Sequence, residues 1–178
     1  MLIPQKLQRQ HPTGAGIASA AEPLETVGTV DLTRYAGEWF EIAKYPNRFQ
    51  RQCIADTTAT YRLLGDGNVG VVNRCRTARG MDEADGIARP LEGRTDRLEV
   101  SFLPAALRWL PVGWGNYWII ELAPDYRYAV VGEPSRDYLW VLARTRTLSA
   151  EDRRAIEARL PAHGYDPKRL VDSPQENN

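Results

Sequence analysis

Asn73 is an amide set into an otherwise apolar alternation. In NVGVVNRC (68–75), Val69, Val71 and Asn73 share one face of an extended strand, because successive strand side chains point to opposite sides. An amide buried without a partner costs about 1–3 kcal/mol. It therefore wants water, a ligand oxygen or, in the plainer case, a structural bond across the interior. That is the chemistry of non-covalent recognition. Covalent chemistry has few candidates: His11 and His163 are isolated, no cluster has metal-ligand spacing, and neither a glycine-rich phosphate loop nor a G-x-S-x-G is present. No catalytic residue, metal or cofactor is expected. Cys53 and Cys75 permit either one disulfide or a reactive thiol.

The chain that positions these residues has 178 amino acids, enough for one domain with a sizeable core or barrel. Lys plus Arg equals Asp plus Glu at 23 each. There is thus no basic field to neutralise a phosphate backbone, and nucleic acid is not an expected partner. No apolar stretch reaches the roughly 18 residues of a transmembrane helix. Residues 1–26 lack periodicity and the apolar centre of a signal peptide. They read as a flexible leader or an expression remnant, with Ala18-Ser19-Ala20 a weak match to a cleavage site. The domain is expected over 27–173, followed by a polar tail at 174–178.

From Val30 to Val141, short alternating runs are separated by turn signals. DTTATYRLL (56–64) and NVGVVNRC flank Gly65-Asp66-Gly67, a strong hairpin signal. Further runs fall at 82–92, 96–104, 117–123, 127–134 and 137–146, and the opening segment YAGEWFEIAK (35–44) makes eight. Their even spacing suggests a meander, not parallel strands joined by crossover helices. Ser149 and Asp152 resemble an N-cap and its acidic partner ahead of a helix over 150–160, which Pro161 and Gly164 stop. A short extended piece, 168–173, ends the fold. Full closure removes the edges of such a meander. The predicted fold is all-β: an eight-stranded antiparallel up-and-down β-barrel with one C-terminal α-helix packed outside. At eight strands the interior can be filled by side chains or can hold one small ligand.

Gly37-Glu38-Trp39 on the first strand resembles the Gly-x-Trp signature of the lipocalins. APDYRYAVV (123–131), with Asp125 and Tyr126, resembles that family's turn between strands six and seven, although Pro124 stands where threonine is usual. LWVLARTRTLS (139–149) resembles its third conserved block. The similarity spans about Val30 to Val171 and is strongest toward the bacterial outer-membrane lipocalins and the apolipoprotein D-like branch.

The resemblance implies that Trp39 lies across the closed end of the barrel under Arg144, a cation–π contact worth about 0.5–2 kcal/mol. Gly37 would let the backbone pass close to the base. These are expected to be structural residues. With Arg144 at the base, a period of two turns Leu142, Trp140 and Tyr138 inward. The other inward positions are Ala59, Tyr61 and Leu63, then Val69, Val71 and Asn73, then Leu98, Val100 and Phe102. Tyr117, Ile119, Ala129 and Val131 complete the set. Small residues at Ala59, Gly86, Ala88 and Ala129 argue for room rather than complete filling. Aromatic faces with polar tips suit an elongated amphipathic molecule with one polar end, such as a fatty acid or a lysophospholipid.

PAALRWLPVGWGNYW (104–118) joins strands five and six at the open mouth and carries Leu107, Trp109, Leu110, Val112 and Trp114. So apolar a loop marks an interaction surface, read either as a peripheral membrane contact or as a lid over the mouth. Across the hairpin, Cys53 is out of register with Cys75 by roughly 13 Å, beyond the ~7 Å a disulfide spans. Similarly placed cysteines in bacterial relatives imply that the loop bends back and the bridge forms, contributing about 3 kcal/mol. The expected function is to bind, store or transport a small lipophilic ligand in the bacterial cell envelope, as a monomer or weak homodimer. Two alternatives stay open: a scaffold that grips a protein partner through its mouth loops, and an enzyme using Cys75, since one lipocalin branch has a catalytic barrel thiol.

Overall fold

The structure is a computed structural model describing residues 22–110 and 112–176. A short helix α1 (Leu32–Tyr35) leads into β1 (Gly37–Lys44), β2 (Ala55–Leu63), β3 (Val69–Thr77), β4 (Gly80–Leu91) and β5 (Arg94–Ser101). β6 (Trp114–Leu122), β7 (Tyr128–Gly132), β8 (Leu139–Ala143), helix α2 (Ala150–Arg159) and a two-residue β9 (Val171–Asp172) follow. Every consecutive pair from β1 to β8 is antiparallel, and β8 pairs back to β1, so the eight strands close into a barrel. The β2–β3 hairpin forms where Asp66 accepts hydrogen bonds from the backbone and side-chain nitrogens of Asn68, while Gly67 takes a φ of +83°.

Several strands differ in extent from the alternation. β6 starts at Trp114, three residues before the expected Tyr117, and β5 stops at Ser101. β7 and β8 are shorter because the nearly buried Glu133 gathers the backbone N–H groups of Ser135, Asp137 and Tyr138 into a compact loop. Ser149 caps α2 by accepting from Asp152 N at 3.0 Å. The Asp152 carboxylate does not return the bond, because Arg127 takes both of its oxygens. The piece expected to be extended at 168–173 is a 3₁₀ turn over Pro167–Arg169 and then β9.

Two apolar clusters result. One lies between α2 and the outside of the barrel, where Ile156 and Leu160 meet Tyr45, Val130, Leu139 and Val141. The other fills the barrel base around Trp39, with Tyr35, Leu98, Ile119, Ala129 and Val131. Of the leader 1–26, residues 1–21 lie outside the described residues. The remainder is built into the fold: Leu24 is buried in the outer cluster and Thr26 Oγ1 accepts from Arg94 and Arg97. Asp96, fully buried, ties this segment down by accepting from Gly28 N and from Arg94.

The described part of the polar tail, 174–176, is also anchored. β1 and β2 pair only over Gly37–Phe40, and beyond that they part. The C-terminal segment enters the gap: Ser173 N donates to Ile42 O, and Asp56 N donates to Pro174 O. Gln175 Nε2 donates at 2.9 Å to both Glu41 O and Thr57 O, one carbonyl from each parted strand.

Candidate functional site

A cavity of about 820 Å³ runs from the base toward the end bearing the β1–β2, β3–β4 and β5–β6 connections. That is within the range of small-molecule sites. Ala59, Tyr61, Val71, Asn73, Val100, Phe102, Tyr117, Tyr138 and Trp140 line it. Ile119 and Val131 do not. Both have no exposure and are packed into the base with Trp39, below the cavity. The small residues divide likewise. Ala59 and Ala88 leave space, but Ala129 is sealed in the base. The Phe102 ring occupies the room at Gly86, where an added Cβ would meet it at 2.7 Å.

The deep end is a row of three phenols. Tyr117 Oη lies 2.7 Å from Tyr35 Oη and 2.8 Å from Tyr61 Oη. Burial pushes all three hydroxyl pKa values up, so the row stays protonated and neutral. Asn73 stands nearer the mouth, two residues along β3 from the Val71 that pairs with Tyr61. Its side-chain amide has no hydrogen-bond partner among the described residues and faces the cavity. Higher still, Gln50 Nε2 donates to Glu41 Oε2 at 2.6 Å while its Oε1 accepts from Trp140 Nε1 and Asn47 Nδ2. Trp140 therefore offers its ring face, stacked on Tyr138, rather than a free N–H.

Tyr35, Glu41 and Gln50 are lining residues that the strand alternation left out. Glu41 was within reach of the pattern, since it shares parity with Trp39 and Ala43 on β1. Its carboxylate is nearly fully buried and is satisfied by Lys44, Gln50 and Ser173. Tyr35 sits on α1, where a period of two says nothing.

Cys53 and Cys75 form a disulfide with Cα atoms 5.5 Å apart. The register shifts between Ala55 and Thr58, where Asp56 takes a φ of +55°, and Ile54 N donates to Arg76 O. That bulge draws the loop back toward β3 and removes the expected offset. With both sulfurs in the bridge, the enzymatic alternative at Cys75 has no thiol.

At the base, the Arg144 guanidinium lies 3.8 Å from the Trp39 ring centroid. Its Nη1 donates to Glu38 O at 3.0 Å and Nη2 to Arg34 O at 2.6 Å. Gly37 has a φ of +98°, and a Cβ there would come 3.3 Å from Arg144 Nη1. Asp125 accepts from Arg127, while Tyr126, at a φ of +63°, carries the Arg34 guanidinium over its ring and accepts from Asp31 N.

At the mouth, Trp109 is 78% exposed, with Leu107 and Val112 exposed beside it in sequence and Leu110 half-buried. Trp114 belongs to β6 instead. Its Nε1 donates to Arg108 O and its ring lies under Arg89. Phe49, Ile54, Met81 and Phe102, from neighbouring loops and strand ends, are exposed at the same end. His163 is paired with Glu121 at 2.9 Å. Among the described residues no cluster could hold a metal ion, and no helix is long and apolar enough to cross a membrane.

Residues 30–175 match the model of the lipocalin-like domain family. Temperature-induced lipocalin-1 of Arabidopsis thaliana is 36% identical over 157 residues, covering 86% of this chain and 84% of the plant protein. Outer membrane lipoprotein Blc of Escherichia coli strain K12 is 37% identical over 152 residues, covering 83% of this chain and 81% of the bacterial protein. Among solved structures, insecticyanin of the tobacco hornworm Manduca sexta aligns with a TM-score of 0.67 at 19% identity, over 84% of this chain and 83% of that one, a likeness of fold alone.

Proposed function

The chain belongs to the lipocalin family, and from that premise we propose that it binds and carries a fatty acid or lysophospholipid in its barrel. The observation that carries this reading is the cavity itself. Apolar walls at Val71, Val100, Phe102 and Leu142 surround a volume of about 820 Å³, and an unpartnered amide at Asn73 faces into it. The bound molecule's headgroup lies at the mouth, where Arg48, Asp82 and Glu83 line the cavity and can meet either sign of a zwitterion.

The mouth rests against a membrane surface while ligand enters or leaves. Trp109, Leu107 and Val112, with Phe49, Ile54 and Met81, form an apolar rim, and exposed Arg48, Arg51 and Arg79 on the same connections suit anionic headgroups. A location in the bacterial cell envelope fits the disulfide and the printed name of the Escherichia coli relative.

Native mass spectrometry of protein purified without detergent, followed by solvent extraction, tests the carrier reading. A co-purified fatty acid or lysophospholipid supports it. An empty barrel whose tryptophan fluorescence also fails to respond to either lipid overturns it.

A further inference from the structure

The three phenols of the cavity floor cannot satisfy one another. Tyr35, Tyr117 and Tyr61 carry three hydroxyl protons, and the two contacts in the row, 2.7 and 2.8 Å, use two of them. Whichever way the row is oriented, one of the three hydroxyls keeps an O–H with no acceptor among the described residues: an end when the bonds run along the row, or Tyr117 when both ends donate to it. Tyr35, at 3% exposure, Tyr61, at 7%, and the half-buried Tyr117 all line the cavity. Ionisation does not remove the surplus proton, because burial raises all three pKa values. An unmade bond on a buried donor is costly.

We infer that the buried end of this barrel's ligand carries a neutral oxygen acceptor, such as a ketone, aldehyde, ester or hydroxyl, which takes the surplus proton of the Tyr35–Tyr117–Tyr61 row. The inference rests on the carrier reading above and refines it: the chain or ring system that enters the barrel is oxygenated at its inner end. A plain methyl terminus leaves the donor unpaired or holds an immobilised water beneath the chain, and either weakens binding. A carboxylate is the wrong acceptor. Burying an anion costs far more than burying a neutral oxygen, and the Arg144 guanidinium is held against the Trp39 ring by the carbonyls of Glu38 and Arg34.

The test compares two probes by tryptophan fluorescence: a saturated-chain lysophosphatidylcholine, and the same molecule bearing a ketone beside its chain terminus. The ketone probe is expected to bind about 3- to 10-fold more tightly, the net worth of one hydrogen bond. Its terminal C=O stretch in the bound state should fall below the value in hydrocarbon solvent. Replacing one tyrosine at the end of the row still leaves one surplus O–H, so the informative variant is Tyr35→Phe/Tyr61→Phe/Tyr117→Phe. Removing donors and acceptors together should abolish or reverse the preference, read as the ratio of the two probes' affinities for the same variant. Equal affinities in the unmodified protein, or an unshifted carbonyl, overturn the inference and leave the carrier reading standing. If neither probe binds, the carrier reading fails and takes the inference with it.

Discussion

The Arg144 guanidinium lies 3.8 Å from the centroid of the Trp39 indole and, in the same position, holds the carbonyls of Glu38 and Arg34. One side chain thus ties β8 to β1 and to α1 across the barrel base. Arg144→Ala should lower unfolding free energy by about 1–3 kcal/mol, combining the cation–π contact with two charge-assisted bonds. Arg144→Lys keeps the charge but loses the planar fork, and should recover less than half. Urea unfolding with an unchanged m-value is the measurement.

Reduction of the Cys53–Cys75 bridge releases a loop spanning 22 residues of separation. The chain-entropy model gives about 3 kcal/mol for such a loop, so Cys53→Ser/Cys75→Ser should unfold at clearly lower denaturant concentration. Both cysteines also line the cavity, and Cys53 follows the loop whose Gln50 anchors Trp140. Ligand affinity should therefore drop along with stability, and a variant that loses stability alone would detach the bridge from the site.

Asp96 gives the protein an acid limit. Its burial alone would raise the carboxyl pKa, but hydrogen bonds from Arg94, Thr26 and Gly28 outweigh that and hold it down to about 2. Since the unfolded value is near 3.9, ionised Asp96 contributes stability above about pH 4, and the contribution disappears as pH falls toward 2. The size is roughly 2 kcal/mol. Asp96→Asn should be less stable at pH 6 by about that much, with a flatter stability profile between pH 4 and 2 than the unmodified protein.

The mouth-end tryptophans should separate in a flotation assay with vesicles containing anionic lipid. Trp109→Ser should weaken vesicle binding by about 5-fold or more, because its ring is 78% exposed. Trp114→Ser should change it less than 2-fold, because that ring is held by Arg89 and Arg108. Undiminished binding by Trp109→Ser would exclude this rim as the membrane contact.

Alternation made the barrel legible, because a strand with one wet face must show a period of two, and β2, β3 and β5 show it plainly. What it could not show was set by neighbours remote in sequence. Glu41 shares the inward parity of Trp39, but what makes a buried carboxylate tolerable there, above all Ser173, is far along the chain. Gly86 reads as empty space until Phe102, just past the end of β5, covers it. Simple register put Cys53 and Cys75 too far apart, because a bulge at Asp56 has no signature in residue type. Tyr35 was hidden for another reason: it reaches the cavity from a helix of one turn.

The segment at 171–176 lies far along the chain from the strands it joins. During synthesis the N-terminal strands emerge first, and each neighbouring pair can form as soon as its second strand appears. The mouth half of the first pairing must wait, because Gln175 is made after every residue it bridges. Without that segment the barrel is open along one side, where β1 and β2 part beyond Phe40. The wall becomes continuous along its whole length only when residues 173–175 are in place between the parted strands.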